Sequence, residues 1–173
     1  KRLLLNEQGL SFSQFMSAAL YTPALGYYAN GRLKFGAQGD FITAPEVSPL
    51  FGQTLARQVA EVFSSISHPS VLELGAGSGA LAESLLMALQ QLHQVPNNYF
   101  ILEPSAALQA VQRERLLHSL PSDLFERVCW LTTLPSQFDG VIVGNEVVDA
   151  LPVDVIRLWP KDAEQAFVGW DEA

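Results

Sequence analysis

From residue 67 onward, short apolar runs alternate with segments in which apolar residues recur every three or four positions. The short runs predict buried strands, and the periodic segments predict helices. Strands that alternate with helices in this way are typical of a mainly parallel, doubly wound sheet in an α/β fold. The predicted strands cover residues 71–74, 99–102, 128–131, 138–143 and 153–159, with another from residue 167, and the predicted helices cover residues 80–92 and 106–117.

Residues 1–66 follow a different pattern. Ser11 and Gln14 have the spacing of a capping box, and apolar residues follow at helical intervals, which predicts a first helix. Residues 21–49 are rich in glycine, proline and aromatic residues and show little periodicity. A loop of this length inside a compact domain tends to be a lid or a binding loop. The pattern therefore predicts two parts, an N-terminal helix-and-loop region over residues 1–66 and an α/β core over residues 67–173.

A second helix is predicted at the end of the N-terminal region. Ser48 and Pro49 form the pattern of an N-cap followed by proline at the first helical position, and the helix is expected to run to about residue 64. Its apolar residues recur at helical spacing, so they form one stripe along the helix. The stripe that we expect to be buried comprises Leu55, Val59, Val62 and Phe63.

Composition and charge narrow the class of protein. The chain has 173 residues, of which 49% are hydrophobic, and this is enough to build a core. No apolar run approaches the roughly 20 residues that span a bilayer, so no membrane partner is expected. The net charge of −8 argues against a nucleic-acid partner, because phosphates select basic surfaces. A cytoplasmic location is expected, or the mitochondrial matrix if the source is a eukaryote.

Cysteine and histidine are scarce. The single cysteine, Cys129, excludes an internal disulfide and lies in an apolar run, where a core position is expected. The three histidines have no ligand-like spacing to one another or to that cysteine. No metal site is therefore predicted.

The segment "SVLELGAGSGAL", residues 70–81, contains a predicted strand, a glycine-rich turn and the start of a helix. In a parallel sheet, ligands bind where such a turn leaves the carboxyl end of a strand. Glycine is required there because the backbone turns tightly and approaches the ligand closely. Two fingerprints fit the turn. From Gly75, the pattern G-x-G-x-x-A matches dinucleotide-binding enzymes, whereas from Glu73 the pattern E-x-G-x-G-x-G matches S-adenosylmethionine-dependent methyltransferases.

Three observations favour the methyl donor over a dinucleotide. The acid Glu73, two residues before the first glycine, is central to the methyltransferase pattern, where it helps to hold the methionine amino end of the donor. The acid that ends the next strand, Glu103, lies farther from Gly75 than the roughly 20 residues that the dinucleotide pattern expects. Finally, a pyrophosphate would favour a basic residue nearby, and no basic residue lies near the loop.

Further segments resemble one family. The stretches "LGYYANGRLKFGAQGDFITAPEVSPLFG", "ELGAGSG" with "LEPS", and "GNEVVDALPV" occur in this order, and with them the chain resembles the MidA family of methyltransferases over nearly its whole length. That family includes the mitochondrial arginine methyltransferase that assists assembly of respiratory complex I. The resemblance implies a class I S-adenosylmethionine-dependent methyltransferase fold. It also implies methylation of an arginine in a protein substrate, either a respiratory-complex subunit or another basic segment.

The resemblance assigns residues of this chain to the methyl donor. The acid and glycines of the "ELGAGSG" loop would hold the methionine end, and the acid after the second core strand would hold the ribose. The N-terminal motif, residues 39–41 and 43–48, would fold over the pocket. The implied donor-binding positions are Glu73, Gly75, Ala76, Gly77, Gly79, Glu103, Pro104, Asn145, Gly39 and Thr43.

Adenine recognition is the one departure from the pattern. Many class I methyltransferases place an acid or an amide after the third strand to bind the adenine amino group. Here residues 131–134 are Leu-Thr-Thr-Leu. Adenine recognition is therefore expected from the backbone, from a threonine hydroxyl or from elsewhere in the chain.

After the fourth strand, Asn145, Glu146 and Asp149 resemble the motif of the family where donor and acceptor meet. Carboxylates can hold the planar fork of a guanidinium and leave one nitrogen aimed at the methyl group. Glu146 and Asp149 lie three residues apart, so one helical turn would direct both to the same pocket. Glu146 is assigned to the guanidinium, Asp149 to support or proton acceptance, and Asp40, which follows a glycine, is a third candidate. Alternatively, Asp149 only caps the turn before Pro152.

Two other functions stay open. The chain begins without methionine and has fewer predicted strands than a complete class I domain, so we expect a fragment of a longer domain. Such a fragment could act as a donor-binding assembly module that holds a partner protein without methyl transfer. An NAD-dependent oxidoreductase is the third interpretation, because the dinucleotide fingerprint also fits the glycine loop.

Overall fold

A computed structural model of the chain describes residues 9–28 and 42–169. These residues form two compact units. Residues 42–147 belong to the larger unit, and residues 9–28 and 148–169 belong to the smaller one. This grouping does not follow chain order, and the predicted division of the chain near residue 67 stays a prediction.

Helices and strands alternate through the larger unit. Its predicted core elements agree with the observed ones within two residues at each end, and the strands predicted over residues 99–102 and 128–131 agree at both ends. The helices are α1 (Phe12–Tyr21), α2 (Ala44–Val47), α3 (Leu50–Phe63), α4 (Ala80–Gln91), α5 (Ala106–Ser119) and α6 (Ser122–Phe125), with a 3₁₀ turn at Val148–Ala150. The strands are β1 (Leu10–Ser11), β2 (Ser70–Leu74), β3 (Tyr99–Leu102), β4 (Val128–Leu131), β5 (Gly140–Val143), β6 (Ile156–Trp159), β7 (Asp162–Gln165) and β8 (Phe167–Val168).

Four parallel strands form the sheet of the larger unit, in the order β4-β3-β2-β5. The chain adds β3 and then β4 on one side of β2, and afterwards returns to place β5 on the other side. This reversal creates a switch point at the carboxyl ends of β2 and β5, where open α/β sheets bind their ligands. The mainly parallel α/β sheet predicted from the apolar pattern is confirmed.

The hydrophobic core lies between this sheet and its helices. Helix α4 connects β2 to β3, α5 connects β3 to β4, and α3 packs against α4. Strand residues Val71, Tyr99 and Ile101 belong to the same buried cluster as Leu85 and Leu89 of α4. Full burial of such a side chain contributes about 1.5–3 kcal/mol. The sheet edge is therefore a rigid base for the loops that leave it.

Helix α3 confirms its predicted stripe only in part. Val62 is 46% exposed, so the prediction of its burial was wrong. The face toward α4 contains small residues, and a Cβ at Gly52 would overlap Ser84 of α4. This close approach turns the contact surface of α3 away from Val62. The buried residues of α3 are Gly52, Ala56, Val59 and Phe63.

Helix α3 begins at Leu50 with Pro49 as its N-cap, one position later than the predicted N-cap Ser48. Ser48 Oγ accepts a hydrogen bond from the Leu50 N–H at 3.2 Å. Pro49 has helical backbone angles, with φ −63° and ψ −12°. Proline can open a helix because the N–H that it lacks would have no partner within the helix at this position.

In the smaller unit, α1 begins with the predicted capping box. Ser11 Oγ accepts a hydrogen bond from the Gln14 N–H at 3.2 Å, and Gln14 Oε1 accepts one from the Ser11 N–H at 3.0 Å. The strand predicted over residues 153–159 is shorter, Ile156–Trp159, and β6 pairs antiparallel with β7 in a hairpin. Another antiparallel pair joins β1 to β8. The strands predicted over residues 153–159 and from residue 167 were expected to continue the parallel sheet, and that expectation was wrong.

Candidate functional site

Three of the sequence-predicted segments lie at one edge of the parallel sheet. The loop after β2 contains the glycines, the loop after β3 begins with Glu103, and the loop after β5 contains Asn145 and Glu146. Parallel strands all end at the same edge, and the switch point lies between β2 and β5. The fold therefore brings predicted donor and acceptor residues of the larger unit to a common edge.

The loop after β2 requires glycine at three positions. The φ angle is +60° at Gly75, +55° at Gly77 and +87° at Gly79, a conformation that L side chains rarely adopt. The Gly79 N–H donates to the Ala76 carbonyl at 2.8 Å and closes the turn just before α4. A Cβ at Gly75 would lie 3.3 Å from a methyl group of Val147. The loop after β5 therefore packs directly against the glycine loop.

Glu73 is built into the sheet beside this loop. Its side chain is 2% exposed, and Tyr99 Oη donates a hydrogen bond to Glu73 Oε2 at 2.8 Å. Burial raises the pKa of Glu73 from 4.5 to about 7, and the hydrogen bond from Tyr99 opposes that increase. Since the described contact of Glu73 is Tyr99, its role at the methionine end of a donor stays a prediction.

Glu103 follows β3 and is 4% exposed. Its Oε1 accepts a hydrogen bond from the Ser105 N–H at 2.9 Å, and its Oε2 accepts one from Gln112 Nε2 at 3.3 Å. Burial raises the pKa of Glu103, and these two hydrogen bonds lower it. A carboxylate offers about four acceptor positions. Two protein donors therefore orient the group and leave acceptor positions for a ligand.

Gln112 of α5 is fully buried and was not predicted as a site residue. Besides Glu103, its Nε2 donates to the Gly77 carbonyl at 3.0 Å, and its Oε1 accepts from Trp130 Nε1 at 2.9 Å. The sequence does contain a signal for its burial. Gln112 lies four residues before Leu116, the other buried residue of α5, and side chains at this spacing share one helix face.

A cluster of charged and polar side chains holds α2 against the glycine loop. Arg115 Nε donates to Glu83 Oε2 at 2.6 Å, and its Nη1 donates to Ser78 Oγ at 2.9 Å. The same Nη1 lies 3.6 Å from Glu46 Oε2, and Ser78 Oγ also donates to Glu46. Glu46 belongs to α2, whereas Ser78 lies in the glycine loop. The segment of α2 that was predicted to fold over the donor pocket therefore contacts the donor loop.

The loop after β5 presents an exposed acid. Asn145 is half-buried, whereas Glu146 is exposed and has a φ of +53°. A non-glycine residue in this conformation is strained, and such strain clusters at functional sites. Asp149 belongs to the 3₁₀ turn of the smaller unit, where burial and then the charge of Asp149 raise the pKa of Tyr28. The pairing of Glu146 with Asp149 at one pocket stays a prediction.

Residues 54–173 match the family described as "Putative S-adenosyl-L-methionine-dependent methyltransferase". This match covers more than half of the chain. The chain belongs to the MidA family of methyltransferases. The resemblance inferred from the sequence is therefore confirmed.

Known relatives of this MidA-family chain include curated proteins and a solved structure. Protein arginine methyltransferase NDUFAF7, mitochondrial, from Bos taurus is 33% identical over 94% of this chain and 42% of its own length. The Drosophila melanogaster homologue, also named mitochondrial, is 30% identical over 90% of this chain and 40% of its own length. The chain thus spans about two-fifths of the length of the curated relatives that it matches.

The solved structure is of a COG1565 superfamily member from Burkholderia thailandensis bound to S-adenosyl-homocysteine. It is 44% identical, with a TM-score of 0.86, and the alignment covers 95% of this chain and 43% of that chain. This likeness and the parallel sheet show that the MidA-family chain has the class I methyltransferase fold, as predicted.

The remaining predicted site residues of the MidA-family chain lie beside the donor loops or outside the described residues. Asp40 and Gly39 lie outside the described residues. Thr43 is half-buried just before α2, and Pro104 is exposed after Glu103. In the parts of the chain that the structure describes, no three or more His, Cys, Asp or Glu side chains could hold a metal ion, and no helix is long and apolar enough to span a membrane.

Proposed function

We propose that this chain binds S-adenosylmethionine and takes part in methylating arginine side chains of a protein substrate. The observation that carries the proposal is the loop of three left-handed glycines at the switch point of the parallel sheet. The Burkholderia relative is bound to S-adenosyl-homocysteine, and the curated relatives are named protein arginine methyltransferases. These names support the donor and the acceptor of the proposal, respectively.

The residues at the sheet edge fit such a donor. Gly75 and Gly77 carry no side chain, so a ligand can approach the backbone closely. The loop opens the 12-residue helix α4, whose N-terminal end favours a carboxylate such as that of methionine. Glu103 keeps acceptor positions for ribose hydroxyls. The proposed donor set also includes Glu73, Ala76, Gly79, Pro104, Asn145, Gly39 and Thr43.

When bound, S-adenosylmethionine supplies a methyl group that its positively charged sulfur has already activated. The contribution of the chain is therefore to align the acceptor nitrogen and to exclude water. We assign Glu146 to the guanidinium, because a carboxylate can bind its planar fork through two hydrogen bonds. Asp149 and Asp40 are proposed to support the guanidinium, with a carboxylate oxygen of Asp149 accepting the proton that the nitrogen loses.

The cluster around Arg115 supports a covering role for the N-terminal motif. Glu46 of α2 bonds to Ser78 of the glycine loop, and Arg115 contacts both side chains. These contacts hold the segment that contains Thr43 and α2 close to the loop. We propose that this segment shields the donor from water.

A protein substrate with a basic segment fits the net charge of −8, because opposite charge favours encounter. The curated relatives are named mitochondrial. For this chain, the mitochondrial matrix, the cytoplasm and a respiratory-complex partner all stay predictions. The assembly-module interpretation also stays open, whereas membership of the methyltransferase family weighs against the NAD interpretation.

The proposal is tested by methyl transfer. The chain is incubated with S-adenosylmethionine labelled in its methyl group and with a cell extract as the source of acceptor proteins, and the protein is then hydrolysed to identify labelled amino acids. We expect labelled methylarginine. Glu146→Gln should lower the yield at least tenfold, because a neutral amide loses the charged interaction with the guanidinium.

Glu61→Gln is the matched control, since Glu61 is an exposed acid on α3. It should leave the yield unchanged. Label in an amino acid other than arginine would overturn the arginine acceptor. No label, in a chain that binds S-adenosyl-homocysteine, would favour the assembly module instead.

A further inference from the structure

One buried amide joins the two parts of the proposed donor site. Gln112 is 0% exposed, although it is polar and lies in the middle of α5. Its Nε2 contacts the Gly77 carbonyl at 3.0 Å and Glu103 Oε2 at 3.3 Å. A fully buried amide is unfavourable unless its hydrogen bonds are satisfied, and here both ends of the amide have partners.

The partners allow only one orientation of this amide. The indole N–H of Trp130 can only donate, so it must meet the amide oxygen. The Gly77 carbonyl and the Glu103 carboxylate can only accept, so they must meet the amide nitrogen. A flipped amide would oppose donor to donor and acceptor to acceptor. Trp130 therefore selects the orientation in which Gln112 donates to the loop and to the acid.

We propose that Gln112 is a positioning residue for the methyl donor: its amide locks the glycine loop to Glu103 and directs the carboxylate toward the ribose hydroxyls. The inference rests on the proposed donor site and deepens it. Gln112 touches no reacting atom in this account. It acts through Gly77 and Glu103, and Trp130 of β4 holds it in place.

Loss of the Gln112 amide should mainly weaken the binding of the ribose. Without the amide, the Glu103 side chain keeps only the Ser105 N–H among the two donors that hold its carboxylate. The carboxylate can then rotate, so its hydrogen bonds to the ribose weaken. The contacts of the loop with the methionine end are affected less. If Gln112 had a purely structural role, its loss would instead weaken the binding of every ligand by the same factor.

The test compares two ligands in two proteins. Affinities of the 173-residue chain and of Gln112→Met are measured by calorimetry for S-adenosyl-homocysteine and for its 2′-deoxy analogue. Methionine has nearly the same volume as glutamine but makes no comparable hydrogen bonds. We expect the wild-type chain to prefer the hydroxylated ligand by roughly tenfold or more, as for loss of a hydrogen bond to a charged group. In Gln112→Met the preference should fall below about threefold.

Gln109→Met is the matched control, because Gln109 lies on the same helix and donates to the backbone carbonyl of Glu103 rather than to its carboxylate. It should retain the wild-type preference. Trp130→Phe keeps an aromatic ring but removes the N–H that orients the amide, and it should reduce the preference in the same direction. This variant serves if Gln112→Met does not fold, which thermal unfolding monitored by circular dichroism will show.

The outcomes separate the two proposals. A wild-type chain that binds neither ligand would overturn the proposed function. A wild-type chain that binds both ligands equally, or a Gln112→Met variant that keeps the wild-type preference, would overturn the role of Gln112. Equal loss of preference in Gln109→Met would also contradict it.

Discussion

At the carboxyl ends of the parallel strands, the acids at β2 and β3 differ from the acid that follows β5. Glu73 within β2 and Glu103 after β3 are 2% and 4% exposed, and each accepts a hydrogen bond from another side chain. After β5, Glu146 is exposed and its backbone is strained. Buried, bonded acids are oriented before a ligand arrives, whereas an exposed acid can meet a partner from solution. The difference fits a preformed donor site beside an open acceptor site.

The largest difference between the buried and the exposed acids should be in the pH dependence of stability. Burial raises the pKa of Glu73 to about 7 in the folded chain, so folding favours its protonated form. The stabilisation that this supplies is complete below the unfolded pKa and is lost as the pH rises through about 7. Relative to Glu73→Gln, the wild-type free energy of unfolding should decrease by on the order of 3 kcal/mol over this range.

Urea unfolding at a series of pH values measures this difference. Glu146→Gln is the comparison variant, because it makes the same change at an acid that is exposed. If Glu73→Gln keeps the wild-type pH dependence, the buried acid does not control it.

Mutations on the donor side should lower the affinity for the donor far more than mutations on the acceptor side. Glu103→Ala removes the acid assigned to the ribose, and we expect the affinity for S-adenosyl-homocysteine to fall by about 100-fold, as for loss of a charged hydrogen bond to each hydroxyl. Glu146→Ala, on the acceptor side, should change this affinity less than about threefold. Calorimetry provides both values. Equal losses in the two variants would erase the distinction between donor and acceptor sides.

Arg115→Met should have a smaller effect on the donor side. It removes the hydrogen bonds to Ser78 and Glu83, but the Arg115 side chain is 36% exposed, and such exposed ion pairs contribute little. We expect roughly a fivefold loss of affinity for S-adenosyl-homocysteine, with faster amide exchange across Ala44–Val47. Arg57→Met, an exposed change on α3, is the control. Unchanged exchange in α2 would show that Arg115 does not hold it.

The smallest effect concerns strain on the acceptor side. Glycine adopts the φ of +53° at Glu146 without strain, so Glu146→Gly should stabilise the fold by about 0.5–1 kcal/mol while lowering methyl transfer. The same change at Glu114, an exposed residue inside α5, should destabilise by about 1 kcal/mol. Thermal unfolding of both variants measures the contrast. Destabilisation by Glu146→Gly would mean that the glutamate side chain stabilises this loop.

The donor side was the easier one to predict from the sequence. Strands β3 and β4 are continuous apolar runs, and their predicted ends match the structure. The glycine loop is one contiguous segment in which the residue types report the backbone conformation. Polar strand β7, with the sequence Asp-Ala-Glu-Gln, carries no apolar run and was not predicted.

Partners from different elements were beyond such patterns. The contacts of Glu73 with Tyr99 and of Gln112 with Trp130 depend on which strands and helices become neighbours. Val62 shows the same limit, because hydropathy placed it in the buried stripe and the small residues of α3 turned the contact elsewhere. These contacts and this burial depend on which residues become neighbours in the folded chain. The periodicity of a single helix does not show which residues those are.

The proposed function depends on binding of the methyl donor by the glycine loop. Calorimetry with S-adenosyl-homocysteine on the 173-residue chain, Gly77→Val and Gly169→Val tests it most directly. Valine is disfavoured at the φ of +55° of Gly77, whereas a Cβ at Gly169 meets nothing within 4 Å. We expect equal binding by the wild-type chain and Gly169→Val, and at least about a 100-fold loss of affinity in Gly77→Val, which corresponds to about 2.7 kcal/mol. Wild-type affinity in a folded Gly77→Val variant would contradict it.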